Sequence, residues 1–221
     1  MKNQTHYINI ESINNIRQVI NVLQKQTLVL PKTNIKQLAV FNAVYIVISK
    51  GFEYGLKTNL FEEPKKIEKL CIVFASYYFA AINEYYKTNS LPPVWLHVTK
   101  AKTKPEFIKL LLAANAHINY DLPQALNTKK LNISKTDYYA ADRIFKNSVS
   151  EIIESFSETH TFYNFIKANF RVLYQRPLIA VIIHWRHRAW KNHLVIQNQK
   201  LSLSGLEKSS NQIANSLLDI F

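Results

Sequence analysis

Phe107-Ile108-Lys109-Leu110-Leu111-Leu112-Ala113-Ala114-Asn115-Ala116-His117-Ile118-Asn119-Tyr120-Asp121-Leu122-Pro123-Gln124 is the stretch from which this chain is best read. Its first half is an apolar helical block opened by Pro105, so the surrounding face is built to be buried. Polar residues then appear inside the same helix. His117 and Asp121 are four apart, which places both side chains on one face. An imidazole buried beside a carboxylate must be hydrogen-bonded, ion-paired or metal-bound, because an unsatisfied polar group there costs about 2–7 kcal/mol. The pair is the chain's candidate site.

Helical spacing recurs on either side of this segment. Ser12 reads as the cap of a first helix carrying Ile13, Ile16, Val19, Ile20 and Leu23. After Pro31 and Thr33, a second helix from about Asn34 shows Leu38, Phe41, Tyr45 and Ile48, and is expected to fade at Gly51 to Gly55. Pro64, following Glu62-Glu63, suits the first turn of a long third helix marked by Leu70, Phe74, Tyr77, Ala81 and Tyr85. The loop Thr88 to Pro93 closes it, and Trp95 sits in a short connector. The Leu122-Pro123 step is expected to kink or end the site helix, since proline cannot donate to the helix ladder. A helix over about Thr136 to Ser155 carries Tyr139, Ile144, Val149, Ile152 and Ile153. The Tyr163 to Tyr174 region, a Pro177 to Ile196 helix and a C-terminal Leu206 to Ile220 helix complete the set. Thr27 to Leu30 and Val94 to Val98 are the only weak strand patterns, too short and isolated for a sheet. The expectation is an all-α, single-domain bundle of about seven to eight helices. Residues 1–32 form an N-terminal helix and linker, 33–196 the core and 197–221 a C-terminal helix.

Composition agrees. Of 221 residues, 48% are hydrophobic and 12% aromatic, enough to offset the entropy of folding by burial. Only 3 glycines are present, fewer than a sheet with tight turns needs. The single cysteine, Cys71, excludes an internal disulfide and a zinc cluster of cysteines, and reads as a small buried hydrophobe. No secretory h-region opens the chain, and the run Leu178 to Ile183 ends at His184, far short of the about twenty residues of a membrane helix. These features lead to the expectation of a cytoplasmic protein. The net charge of +13 invites a nucleic-acid reading, with Arg186, Arg188 and Lys191 beside Trp185 and Trp190 as the face that would grip phosphates. The scatter of the 28 lysines and arginines argues against it.

His117 and Asp121 support two readings. Asp121 with Gln124 three residues on matches a capping box, which would make the pair structural. Alternatively they offer two ligands to one metal, or a general base and its orienting acid. Asn115 and Asn119 lie off that face and are assigned to backbone or loop bonds. A weaker metal set is His184 and His187, three apart, with Asp142, although Arg186 and Arg188 disfavour a cation beside them. For Asn42, Asn83, Glu84 and Asp142, a solvated helix face is the simpler expectation, and His6, His97, His160 and His193 show no partner. No Gly-rich phosphate loop, nucleophile elbow or zincin motif exists.

The segment Asn115-Ala116-His117-Ile118-Asn119 followed by Asp121-Leu122 resembles the N-A-H-I-N-x-D-L signature of an uncharacterised bacterial domain family. Phe41-Asn42 with Tyr45, Phe61, Leu70, Phe74 and Tyr77, the Pro93-x-Trp95 step and Ala189-Trp190 agree in order. The likeness covers about Phe41 to Trp190 and carries no activity with it. More remotely, the frame from His117 to Asn127 is similar to the motif H-x-x-x-D-hydrophobic-H-Q-P-L-H of the all-helical zinc-dependent phospholipase C and single-strand nuclease superfamily. His117, Asp121, Gln124 and Leu126 fit that frame, while Pro123 and Asn127 stand where it has further histidine ligands.

The resulting expectation is a helical domain with a buried His117/Asp121 site acting as a metal-dependent hydrolase on a phosphoester, with a divalent metal such as zinc. The alternative is a non-enzymatic binding module for a small apolar ligand or a partner protein, in which the pair is structural.

Overall fold

A computed structural model describes residues 6–128, 131–148 and 175–219, the side chains of 175–177 excepted. Helix follows helix, and no strand occurs among the described residues. The expected all-α bundle is what the chain forms. Both weak strand patterns are helical: Thr27 and Leu28 end α1 (Ile16–Val29), and Trp95 leads from a 3-10 turn into α4 (Leu96–Lys100).

The cap of α1 is Asn15 rather than Ser12; its side chain accepts a hydrogen bond from Gln18 N at 2.9 Å. Helix α2 (Ala39–Lys57) does not fade at its glycines but runs through both. They are there for space. A Cβ on Gly51 would stand 2.5 Å from Ile144 Cγ2, so the glycine lets α8 (Asp142–Asn147) approach α2 closely.

Helix α3 (Pro64–Thr88) starts at its proline as expected, and ends where Asn89 turns left-handed at φ 60°. Its N-terminus has a partner that sequence reading did not supply. The buried Asp137 carboxylate accepts from Glu62 N at 2.7 Å and Glu63 N at 3.0 Å, closing free donors at the helix start. Asp137 belongs to α7 (Lys135–Ala140), which Ser134 caps. The expected helix over Thr136 to Ser155 is thus two short helices, α7 and α8, meeting at Ala141; the positions from 149 to 155, like Tyr163 to Tyr174 and His160, lie outside the described residues.

At the centre runs α5 (Glu106–Asn115), buried continuously from Leu110 to Asn115. It does not stop before Pro123. A π-helical segment, Ala116–Asp121, carries it into α6 (Leu122–Leu126), and Pro123 sits in the first turn of α6. The wider π turn moves hydrogen bonding from i−4 to i−5, which relieves the clash and the missing donor that proline brings to an ordinary helix. Helices α2 and α3 pack on one side of this composite helix, with α9 (Gln175–Gln197) and α10 (Leu203–Asp219) against its other sides. A helix apolar on every side is stable only when enclosed in this way. No described helix is long and apolar enough to cross a membrane.

Candidate functional site

The end of α5 and the π segment present two pairs of polar side chains in different directions. His117 and Asp121 face α2 and α3, with exposures of 2% and 3%. His117 Nδ1 and Asp121 Oδ2 are 3.0 Å apart. Aromatic rings enclose the imidazole. Phe74 stacks on it with ring centroids 3.6 Å apart and planes within 7°, while Phe41 and Tyr45 approach edge-on at 5.6 and 5.0 Å. Tyr78 and Trp95 complete the surround, and the Trp95 indole N–H donates to the Asp121 carboxyl.

Burial holds the His117 pKa well below its ordinary value and pushes that of Asp121 well above, against the small opposing pull of the Trp95 hydrogen bond. Both groups therefore favour their neutral forms, and the pair holds one proton between two nearby atoms. His117 Nε2 has no hydrogen-bond partner. The expected capping box does not form: Asp121 makes no side-chain cap, and Gln124 Nε2 donates to Tyr120 O at 3.0 Å. A helix that continues through Asp121 leaves no open N-terminus there to cap.

The second pair, Asn115 and Asn119, points toward α10. Asn115 Nδ2 donates to Ser210 O at 2.9 Å and Asn119 Nδ2 to Asn115 Oδ1 at 3.0 Å. Their role is to bind the C-terminal helix to the central one.

Other polar groups expected on solvated faces are interior. Asn42 is fully buried; its Nδ2 donates to Leu23 O at 2.8 Å and Thr27 Oγ1 at 3.0 Å, joining α2 to α1. Asn83 pairs twice with the backbone of Ile8, both at 2.8 Å. His97 Nε2 lies 3.1 Å from Asn211 Oδ1, and His193 Nδ1–H donates to Trp190 O at 2.6 Å, so both do have partners.

Asp142 turns not toward His117 but toward α9. Arg186 Nε donates to its Oδ1 at 3.1 Å, and His187 Nε2 is 2.6 Å from its Oδ2. His184 is exposed and takes no part in the cluster. With a guanidinium on the same carboxylate, Asp142, Arg186 and His187 form an ion-pair unit of which His184 is not a member. The three residues weighed from sequence as a phosphate-gripping face are placed differently from one another. Arg186 is only 4% exposed, donates through Nη2 to Tyr138 O at 2.9 Å, and lies between the Tyr138 and Phe145 rings. Arg188 is half-buried and bonded to Ser209 Oγ, and Lys191 is exposed.

Next to His117 lies a cavity of about 100 Å³, walled chiefly by aliphatic and aromatic side chains of α1, α2, α3, α5 and α9. Ile48, Phe52, Leu70 and Phe74 are representative, and Tyr45, Ser49, Cys71, His117 and Arg186 are the residues of the wall that carry polar side-chain atoms. Tyr45 and Cys71, both half-buried, are part of that wall. Burial pushes the Cys71 thiol up to about 12, so it stays protonated and inert.

The residues do not fit a zinc cluster. A catalytic zinc takes three protein ligands. Among the described residues, no three His, Cys, Asp or Glu side chains come together. Asn127, at the motif's last histidine position, instead closes the helix end, its Nδ2 donating to Pro123 O at 2.8 Å.

Fold and site together define an all-α bundle whose central, π-bulged helix buries a histidine–aspartate pair beside an apolar cavity. The chain belongs to the family of unknown function DUF5995, whose family model covers residues 16–220. No curated protein and no solved structure matches the chain.

Proposed function

We propose that this domain binds a small apolar molecule in its interior cavity. The cavity itself is the observation that supports this. Protein interiors are close-packed, with few voids larger than a water molecule. At about 24 cal/mol per Å³, an empty space of about 100 Å³ costs about 2 kcal/mol. A cavity of roughly 150 Å³ with a similar lining stays dry and accepts benzene. Here the walls come from helices spread over most of the chain, so a ligand would tie the bundle together.

This reading ranks the two expectations from sequence in the opposite order. A phosphoester would carry its charge into a cavity with almost no polar wall, at a desolvation cost that a neutral apolar molecule avoids. Among the described residues the metal-dependent hydrolase finds no third ligand for its metal, and what supports it is His117 with its orienting carboxyl.

The test is titration with n-pentane and xenon, followed by thermal unfolding and by xenon NMR, on wild type and Ala114→Leu, a wall position whose larger side chain fills the space. Saturable binding that raises the melting temperature, and is lost in the variant, supports the proposal. Absence of saturable binding, or binding equal in both proteins, refutes it.

A further inference from the structure

Helix α10 docks along a stripe interrupted by polar groups. Its buried residues, Leu206, Ser210, Ala214 and Leu217, recur at helical spacing, and the second of them carries a hydroxyl. Asn115 Nδ2 donates to Ser210 O at 2.9 Å, and His97 Nε2 lies 3.1 Å from Asn211 Oδ1. Arg188 is bonded to Ser209 Oγ, and Lys104 Nζ donates to Leu218 O at 2.9 Å. Three side chains at this contact are each left one hydrogen bond short. Ser210 Oγ, Asn119 Oδ1 and His97 Nδ1 are buried with no partner, sealed from protein donors and acceptors and from water alike. Each such group biases an equilibrium by about 5- to 150-fold toward states that hydrate it.

The apolar hold that opposes this bias is thin. Of the 17 residues of α10, Leu206 and Leu217 are the buried large apolar ones, whereas the 14 residues of α1 bury Ile16, Val19, Ile20 and Leu23. The joint that leads into α10 is also self-contained. Among the described residues, the hydrogen bonds at residues 198–202 are all local. The N–H groups of Asn198, Gln199 and Lys200 donate to the carbonyls of Leu194, Ile196 and Val195, and Ser202 Oγ accepts from Gly205 N at 3.2 Å. Swinging α10 outward breaks none of these bonds.

We propose that α10 is a conformational switch, which undocks as a unit about this joint and uncovers the Asn115–Asn119 edge of the central helix. An element with few buried apolar contacts is the kind that opens below the threshold for global unfolding. The device is separate from the cavity, because no residue of α10 lines it. Once detached, a helix of this length is marginal in water, so undocking exposes its amides to exchange.

The experiment is residue-resolved hydrogen exchange at low denaturant on wild type, Ser210→Ala and Ser216→Ala. Ser216 is exposed and its hydroxyl donates to Gln212 O, so its replacement controls for the helix propensity of alanine. In wild type, the amides from Leu206 to Leu217 are expected to share one opening, with protection at least tenfold below that of Leu110 to Ala114. Ser210→Ala is expected to raise α10 protection at least fivefold more than Ser216→Ala does, since it removes an unpaired hydroxyl from the docked state. Protection of α10 within tenfold of the central helix overturns the switch, because α10 then opens only with the whole molecule. Amides that exchange one by one inward from the helix end also overturn it, as simple fraying. A difference below fivefold between the two serine variants overturns the role of the buried hydroxyl and with it the proposal. If a variant does not fold, the wild-type pattern decides.

Discussion

In the unfolded chain His117 titrates near pH 6.5 and Asp121 near pH 3.8, so between these values the two carry one proton in total, on the imidazole. The folded pair also carries one proton, since burial lowers the first pKa and raises the second. Protons bound are then equal in both states and the pair's contribution to stability is flat across that window. Above pH 6.5 the unfolded chain releases the proton that the folded pair keeps, so stability falls as pH rises, by up to about 1.4 kcal/mol per pH unit. Below pH 3.8 the unfolded chain binds a second proton that the folded pair refuses, and stability falls again. Tyr45 and Tyr78, the titratable groups facing the imidazole, are pushed upward by burial and stay neutral throughout. The melting-temperature advantage of wild type over His117→Phe/Asp121→Leu should therefore be constant from pH 4 to 6.5 and shrink toward pH 8.5. An advantage that stays constant up to pH 8.5 would show the pair titrating like free groups. The contact of these two side chains was legible from their spacing of four. The rings around them were not, because Phe41, Tyr45, Phe74 and Trp95 come from three separate parts of the chain.

Among the helices, α2 and the π segment show where local signals mislead. Two glycines within five residues read as a helix end, yet α2 continues, because the space above Gly51 is taken by Ile144. Gly51→Ala would gain about 1 kcal/mol of helix propensity. It would also drive a Cβ to within 2.5 Å of a branched side chain that cannot swing away. Overpacking of this kind costs about 1–3 kcal/mol, so the net expectation is a lower melting temperature by several degrees. A melting temperature at or above wild type would show that α8 is free to move off α2. Proline read as a kink or a stop for the site helix, and the helix does not stop there. The π turn absorbed it, and a period of five hydrogen-bonded residues leaves no mark in the apolar pattern. Asp137 was missed because its partners, Glu62 and Glu63 N–H groups, lie about 75 residues away and capping motifs are local.

Taken whole, the bundle encloses a histidine–aspartate pair among apolar side chains and leaves an apolar space beside it incompletely filled. Ala114→Leu is expected to fill it and raise stability by about 0.5–2 kcal/mol, seen as a melting temperature some degrees higher without ligand. A lower melting temperature would mean that the cavity cannot take the added carbons and is not the open space described. The same variant separates packing from function, since it stabilises the apo protein while removing the binding proposed above.

Helical period, scarce glycine and a heavy apolar fraction determined an all-α bundle from sequence alone, because amphipathic spacing is written within each helix. The adjacency of His117 and Asp121 was likewise local, a matter of one helical turn. Which polar residues are interior, what Arg186 and Asp142 are paired with, and that the imidazole borders a cavity were decided only when distant helices packed. Burial and partnership are properties of the enclosing neighbours, and no residue's own position in the chain encodes who those neighbours are.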